Sequence, residues 1–162
     1  MKTIKPTSSD QTISGTSIFL AGSIEMGKAE DWQKTIENTF IGQEEITLLN
    51  PRRDDWDSSW VQEESNPEFN KQVNWEMNML DEADIIFMYF SPETKSPISL
   101  LELGMHAREN KMIVCCPNGF WRKGNVDIVC NRYNIPLYDN MEKAIGALRT
   151  KIAQQHNHKK FW

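Results

Sequence analysis

Short apolar runs alternate along the chain with longer stretches in which apolar residues recur at every third or fourth position. TSIFLAGSI (16–24) is the first such run and breaks at Gly22, the pattern of a buried strand that ends in a turn. In AEDWQKTIENTF (29–40), Trp32, Ile36 and Phe40 stand four apart, the period of a helix with one apolar face. ITLL (46–49) is a second strand, stopped by Asn50 and Pro51. Asn66, Pro67 and Glu68 supply a cap, a proline at the first helical position and an acid in the first turn. The helix they open is predicted to run to about Glu82, with Phe69, Val73, Met77 and Leu80 as its apolar stripe. ADIIFMYF (83–90) is the most apolar strand and therefore a central one. Ser96 and Pro97 repeat the cap signal ahead of the helix ISLLELGMHAREN, and MIVCC (112–116) is a fourth strand. A small helix is expected over 125–131, IPLY (135–138) is the last strand, and Asn140 begins a final helix to about Gln155.

Five strands alternating with helices predict one α/β domain, a doubly wound, flavodoxin-like five-stranded parallel sheet with helices on both faces. The domain is expected over 16–155, between a flexible arm (1–15) and a frayed tail (156–162) that carries His156 and His158. In such sheets ligands sit beyond the carboxyl ends of the strands, where strand order reverses. That rule gathers 21–24, 50–53, 91–99 and 117–125 around one pocket. Residues 52–66 have no helical or strand period, and a connection of that length with two arginines and two tryptophans reads as a functional lid.

The chain has 162 residues and a formal net charge of −5, which suits a single core and supplies no broad cationic field for nucleic acid. No stretch is long and apolar enough to span a membrane or serve as a signal peptide, so a cytoplasmic location is expected. Three cysteines without a CxxC pair disfavour both a disulfide framework and zinc; neither a metal nor a cofactor is expected.

The helix that opens at Pro97 concentrates the chemistry. Ile98, Leu101 and Met105 form one apolar face, and Leu100, Leu103 and Ala107 another nearly opposite, so one can cover the sheet while the other meets a further element or a second subunit. Glu102 lies at the border of the first face, flanked by Ser99 and His106. Burial there raises a carboxyl's pKa, while the nearby helix amino end opposes the rise, and a carboxylate kept ionised is a usable nucleophile. The plain alternative is a border residue in water. Glu76, between Trp75 and Met77, is a second candidate acid whose alternative is a solvated helix position. Asp84 closes the turn before its strand. Arg52 and Arg53 either pair with these acids, hold a polar ligand or belong to an ordinary charged loop; Trp56 and Trp60 either stack on a ligand or pack the lid.

FLAGSI (19–24), NPRRDDW (50–56), QVNWEMNMLDEADIIFMYF (72–90) and SPISLLELG (96–104), in that order, resemble the nucleoside 2-deoxyribosyltransferase family and its N-glycoside hydrolase relatives. The likeness spans about 17–131, and its most specific piece is ELG, eighteen residues after the aspartate of Ala83-Asp84. The resemblance implies that Glu102 is the nucleophile attacking the anomeric carbon. It implies that Glu76, eight positions before Asp84, assists the departing base in place of the usual aspartate. Gly22 and Ser23 would border the sugar, and Asn125 would reach its 5′ end from a neighbouring subunit of a homo-oligomer with shared sites. Six residues before the nucleophile the transferases carry an aspartate, whereas this chain has Ser96, as do relatives that hydrolyse deoxynucleoside monophosphates and use the serine for phosphate. Ser96 is equally explained as the helix cap.

The expected partners are a nucleoside or nucleotide and a free nucleobase, with no nucleic acid or membrane. The expected reaction is a retaining displacement at C1′ of a 2′-deoxyribonucleoside, with a deoxyribosyl-Glu102 intermediate passed to a second base. In it Trp56 or Trp60 stacks on a base and an arginine reads its edge. One rival is an N-glycoside hydrolase of nucleosides or their 5′-monophosphates; another is a non-catalytic nucleotide-binding module.

Overall fold

The structure, a computed structural model, describes residues 1–24, 29–53, 55, 57 and 59–159, the last three of these as helix backbone alone. Its strands are β1 (Lys2–Ile4), β2 (Thr16–Gly22), β3 (Ile46–Leu49), β4 (Ile85–Tyr89), β5 (Met112–Cys115) and β6 (Leu137–Tyr138). Its helices are α1 (Trp32–Thr39), α2 (Pro67–Glu82), α3 (Pro97–His106), α4 (Lys123–Tyr133) and α5 (Met141–Lys159). All the strands are parallel, in the order β1-β3-β2-β4-β5-β6.

The sheet thus has six strands where the sequence predicts five. The extra one comes from Lys2–Ile4, within the segment expected to be an arm, and pairs with β3 at the sheet edge. Its pattern is too short to announce a strand, because Ile4 alone of the three residues is buried and its ladder partners lie more than forty positions along the chain. Further bonds follow from the same segment: Thr47 Oγ1 donates to Ser14 O, and Trp75 Nε1 donates to Gln11 Oε1.

Successive strand residues face opposite ways, so each strand feeds two cores. On one face Phe19, Ala21, Ile86, Met88 and Val114 pack with Leu80 of α2, Leu103 of α3 and Val126 of α4. On the other, Ile18, Leu20, Ile85, Phe87 and Ile113 pack with Trp32 and Ile36 of α1 and Leu148 of α5. Cys115 and Cys116 obey the same alternation, one in each core, and both are free thiols. Asp84 does more than close a turn. Its carboxylate accepts from Ser17 N (2.9 Å) and Ser17 Oγ (3.1 Å), tying the start of β4 to that of β2.

Strand order reverses between β2 and β4. β2 leads through α1 to β3 on one side, and β3 leads through α2 to β4 on the other. At the carboxyl end of this pair Gly22 lies in register with Tyr89. Gly22 has φ +133°, and a Cβ built on it would fall 2.1 Å from Tyr89 O. Only glycine lets the two strands close at that point. Among the described residues no helix is long and apolar enough to cross a membrane.

Candidate active site

Two groups of side chains collect at the switch point and on the helices beside it. The first is a buried cluster of hydroxyls. Ser23, just past β2, places its Oγ 2.7 Å from Thr94 Oγ1 and 2.7 Å from Ser96 Oγ, and these two stand 2.8 Å apart. Ser91 N donates to Ser23 Oγ, and Thr94 Oγ1 donates to Ser91 O. The cluster stitches the turn after β2 to the loop that launches α3.

Ser96 was expected to cap α3 with its side chain. Its hydroxyl goes to Ser23 and Thr94 instead, and its backbone adopts φ 45°, ψ 51°, a left-handed conformation that disfavours any residue but glycine. The helix therefore starts where the cluster holds it. By contrast Asn66 caps α2 as its sequence signal predicts, accepting from Glu68 N and Phe69 N.

The second group is a pair of acids. α2 buries only part of the expected stripe: Leu80 is buried and Phe69 and Val73 are half-buried as predicted, but Met77 is exposed and Gln72 and Met79 are buried as well. This rotation turns Glu76 inward toward α3. The apolar count of a helix face cannot foresee it, because the inward face includes two polar residues one turn apart. On α3, Leu103 and Ala107 are buried and Ile98, Leu101 and Met105 exposed, which decides which of the two apolar faces covers the sheet.

Glu102 and Glu76 are both half-buried, and enough protein packs around their carboxyl groups to disfavour the charged form. Burial pushes Glu76 up to about 7, against a partial offset from the Gln72 amide. Burial, reinforced by the like charge of Glu76, pushes Glu102 up to about 8. Two such carboxyls hold one proton between them near neutral pH. Contrary to the expectation, the helix amino end does not hold Glu102 in its ionised form against burial. It is the sixth residue of α3, and the terminal field falls off within the first turn.

The pair has a measurable consequence. Both folded-state values lie above the ordinary 4.5. Between about pH 4.5 and 8 the folded chain therefore holds protons that the unfolded chain has lost, and its stability declines as pH rises through that window. Glu102→Gln removes one titrating group and the repulsion on the other. The variant is expected to be more stable than the wild type at pH 8, by a margin that shrinks toward pH 5. Thermal unfolding at the two pH values checks this, and parallel losses in both proteins would put the carboxyls in water.

The remaining predicted residues are distributed around this centre. Ser99 is buried on α3, three residues before Glu102. Arg52 donates to the carbonyls of Ala29 (3.1 Å) and Glu30 (3.4 Å), and Arg53 is held in bidentate fashion by Asp55 (2.9 and 2.8 Å) with its guanidinium over the Trp60 ring at 4.8 Å. Arg53 is thus engaged within the segment 52–66 itself. Trp56 lies outside the described residues. Asn125 is exposed on α4 and lines a groove of about 320 Å³ together with Leu100 and Gly104 of α3. A second cleft of about 410 Å³ opens at the end of β4 beside Glu30, Tyr89, Ser91 and Thr94. Neither is lined by Glu76 or Glu102. His106 is buried and bonded to Glu109 Oε1 through Nδ1 (2.9 Å).

Sequence reasoning missed several polar residues here, Thr94 of the hydroxyl cluster among them. Tyr89 donates its hydroxyl to Glu30 Oε1 at 2.9 Å, at the mouth of the second cleft. Gln72 donates to Glu76 Oε1 at 2.7 Å. Its spacing of one helical turn from Glu76 is the signal that could have found it.

A family model described as nucleoside 2-deoxyribosyltransferase like matches residues 15–120. The chain belongs to that family. Among curated proteins none matches. The match starts at the turn before β2 and ends beyond β5, so it takes in the hydroxyl cluster and both acids, while Asn125 falls outside it. Family membership makes the small molecule handled here a nucleoside and the chemistry that of a glycosyl-handling enzyme.

Proposed function

We propose that the protein is a nucleoside 2-deoxyribosyltransferase working through a covalent intermediate on Glu102. The carrying observation is the desolvated Glu76–Glu102 pair, two carboxyls on neighbouring helices with one proton to share. As the C1′–N bond lengthens, the sugar gains positive charge, which draws the negative charge of the pair onto Glu102 and leaves the proton on Glu76. The Glu102 carboxylate forms the C1′–O bond. The electron pair of the C1′–N bond goes to the base nitrogen, Glu76 protonates the base, and the base leaves neutral. An incoming base reverses these steps. Gly22, Ser23 and Ser99 border the sugar in this proposal, and Arg52 and Trp56 act on the base from the lid.

The exposed stripe of Ile98, Leu101 and Met105 supports a homo-oligomer in which a second copy covers α3 and Asn125 reaches across to its neighbour's sugar. A second reading, hydrolysis of a nucleoside 5′-monophosphate, is favoured by one observation. The position that carries an aspartate in the transferases holds Ser96, embedded here among hydroxyls and bringing no negative charge against a phosphate.

Liquid chromatography of a deoxynucleoside incubated with and without a free acceptor base separates these readings. A swapped nucleoside that forms only with the acceptor is the expected result. Base release at one rate in both tubes, without a swapped product, would make the protein a hydrolase. Binding without release would reduce it to a sensing module.

A further inference from the structure

We propose that Gln72 is the positioning residue for proton delivery: it holds Glu76 Oε1 as an acceptor and so leaves Oε2 as the oxygen that carries the proton to the departing base. This rests on the reaction proposed above and adds the atom through which its acid acts.

The geometry is specific. Gln72 is buried on α2, one turn before Glu76, and its Nε2 donates to Glu76 Oε1 at 2.7 Å and to Pro51 O at 3.1 Å. Both amide hydrogens are thereby spent. Reversing the amide would set its oxygen against the Pro51 carbonyl, which can only accept, so the chemistry of the two partners fixes the orientation. Among the described residues Gln72 Oε1 is buried without a hydrogen-bond partner. A side chain retained only for packing would not need an orphaned acceptor.

The far anchor is also firm. Pro51 follows Asn50, whose Nδ2 donates to Glu37 Oε1 and whose Oδ1 accepts from Arg52 N. The carboxyl is therefore referenced, through Gln72, to the end of β3. Among the described residues the groups that face Glu76 are this amide on its own helix and the Glu102 carboxyl on α3. Since Oε1 receives an N–H, a proton taken up by Glu76 resides on Oε2. When the C1′–N bond breaks, its electron pair goes to the base nitrogen, the Oε2 proton follows it, and Glu76 is left as a carboxylate.

The test compares two leaving groups. An ordinary purine deoxynucleoside needs a proton for its base to leave neutral. A 7-methylpurine deoxynucleoside carries a positive charge already and releases a neutral base without one. Gln72→Met and Gln72→Leu are apolar side chains of similar bulk that remove the N–H donor without adding another. In either variant turnover of the ordinary substrate is expected to fall about 10-fold or more, part of the 10²–10⁴ that a positioned acid supplies. Turnover of the 7-methyl substrate should stay within about threefold of the wild type. In Gln72→Met the alkaline limb of the kcat profile should also move to higher pH, because the lost bond favoured ionised Glu76.

Equal losses on both substrates, or no loss on either, would overturn the assignment, and so would failure of both variants to fold, which would make Gln72 a residue of the fold alone. A wild-type protein that released base from neither substrate would instead remove the proposed reaction itself.

Discussion

Glu102→Gln is expected to abolish base exchange, with a loss of about 10³-fold or more in kcat, while the protein stays folded. The amide has the shape of the carboxyl and fills the same place on α3, so nothing in the packing of Leu103 or Ala107 need move. It cannot carry the negative charge that meets the sugar, and it cannot form the ester to C1′. The variant also lacks the like-charge repulsion that helps to raise the pair, so the loss of activity should come with a gain in stability at alkaline pH. Intact-protein mass spectrometry after mixing with a deoxynucleoside checks the chemistry directly. A deoxyribosyl adduct is expected on the wild type and not on the variant. Exchange at the wild-type rate would take Glu102 out of the mechanism.

Gly22→Ala is expected to be severely destabilising, with a loss of about 3 kcal/mol or more. The methyl carbon would stand 2.1 Å from Tyr89 O and 2.8 Å from Tyr89 N, contacts that the main chain of β4 relieves only by moving away. The φ of +133° is in addition one that an alanine resists. β2 and β4 are the two central strands, and Ser23 N bonds to Tyr89 O immediately beyond the clash, so the hydroxyl cluster would shift with them. Denaturant unfolding measures the effect. A midpoint close to that of the wild type would show that the switch point tolerates separation of the strands.

The helix starts show how far local signals reach. Asn66 and Ser96 are both polar residues ahead of a proline, and only the first caps its helix with its side chain. The partners of Asn66 are two and three positions away, within the sequence window that defines a cap. Ser96 finds Ser23, 73 positions away, and that pairing outweighs the local one. The sixth strand was hidden for the same reason. Lys2–Ile4 has little pattern of its own and becomes a strand because β3 offers it an edge.

The alternation of strands and helices, the parallel doubly wound sheet, the glycine at the end of β2 and the choice of Glu76 and Glu102 as the acids to examine were all determined by the sequence itself. Each depends on residue type at short range, on runs, periods of three and four, or a short motif. The tertiary structure alone decided that α2 turns Gln72 and Glu76 inward, that the two acids share a desolvated space, and that Ser96 joins Ser23 and Thr94. A carboxyl's protonation and a hydroxyl's partner are set by what is packed against them from other elements, and three-dimensional neighbours leave no period along the chain.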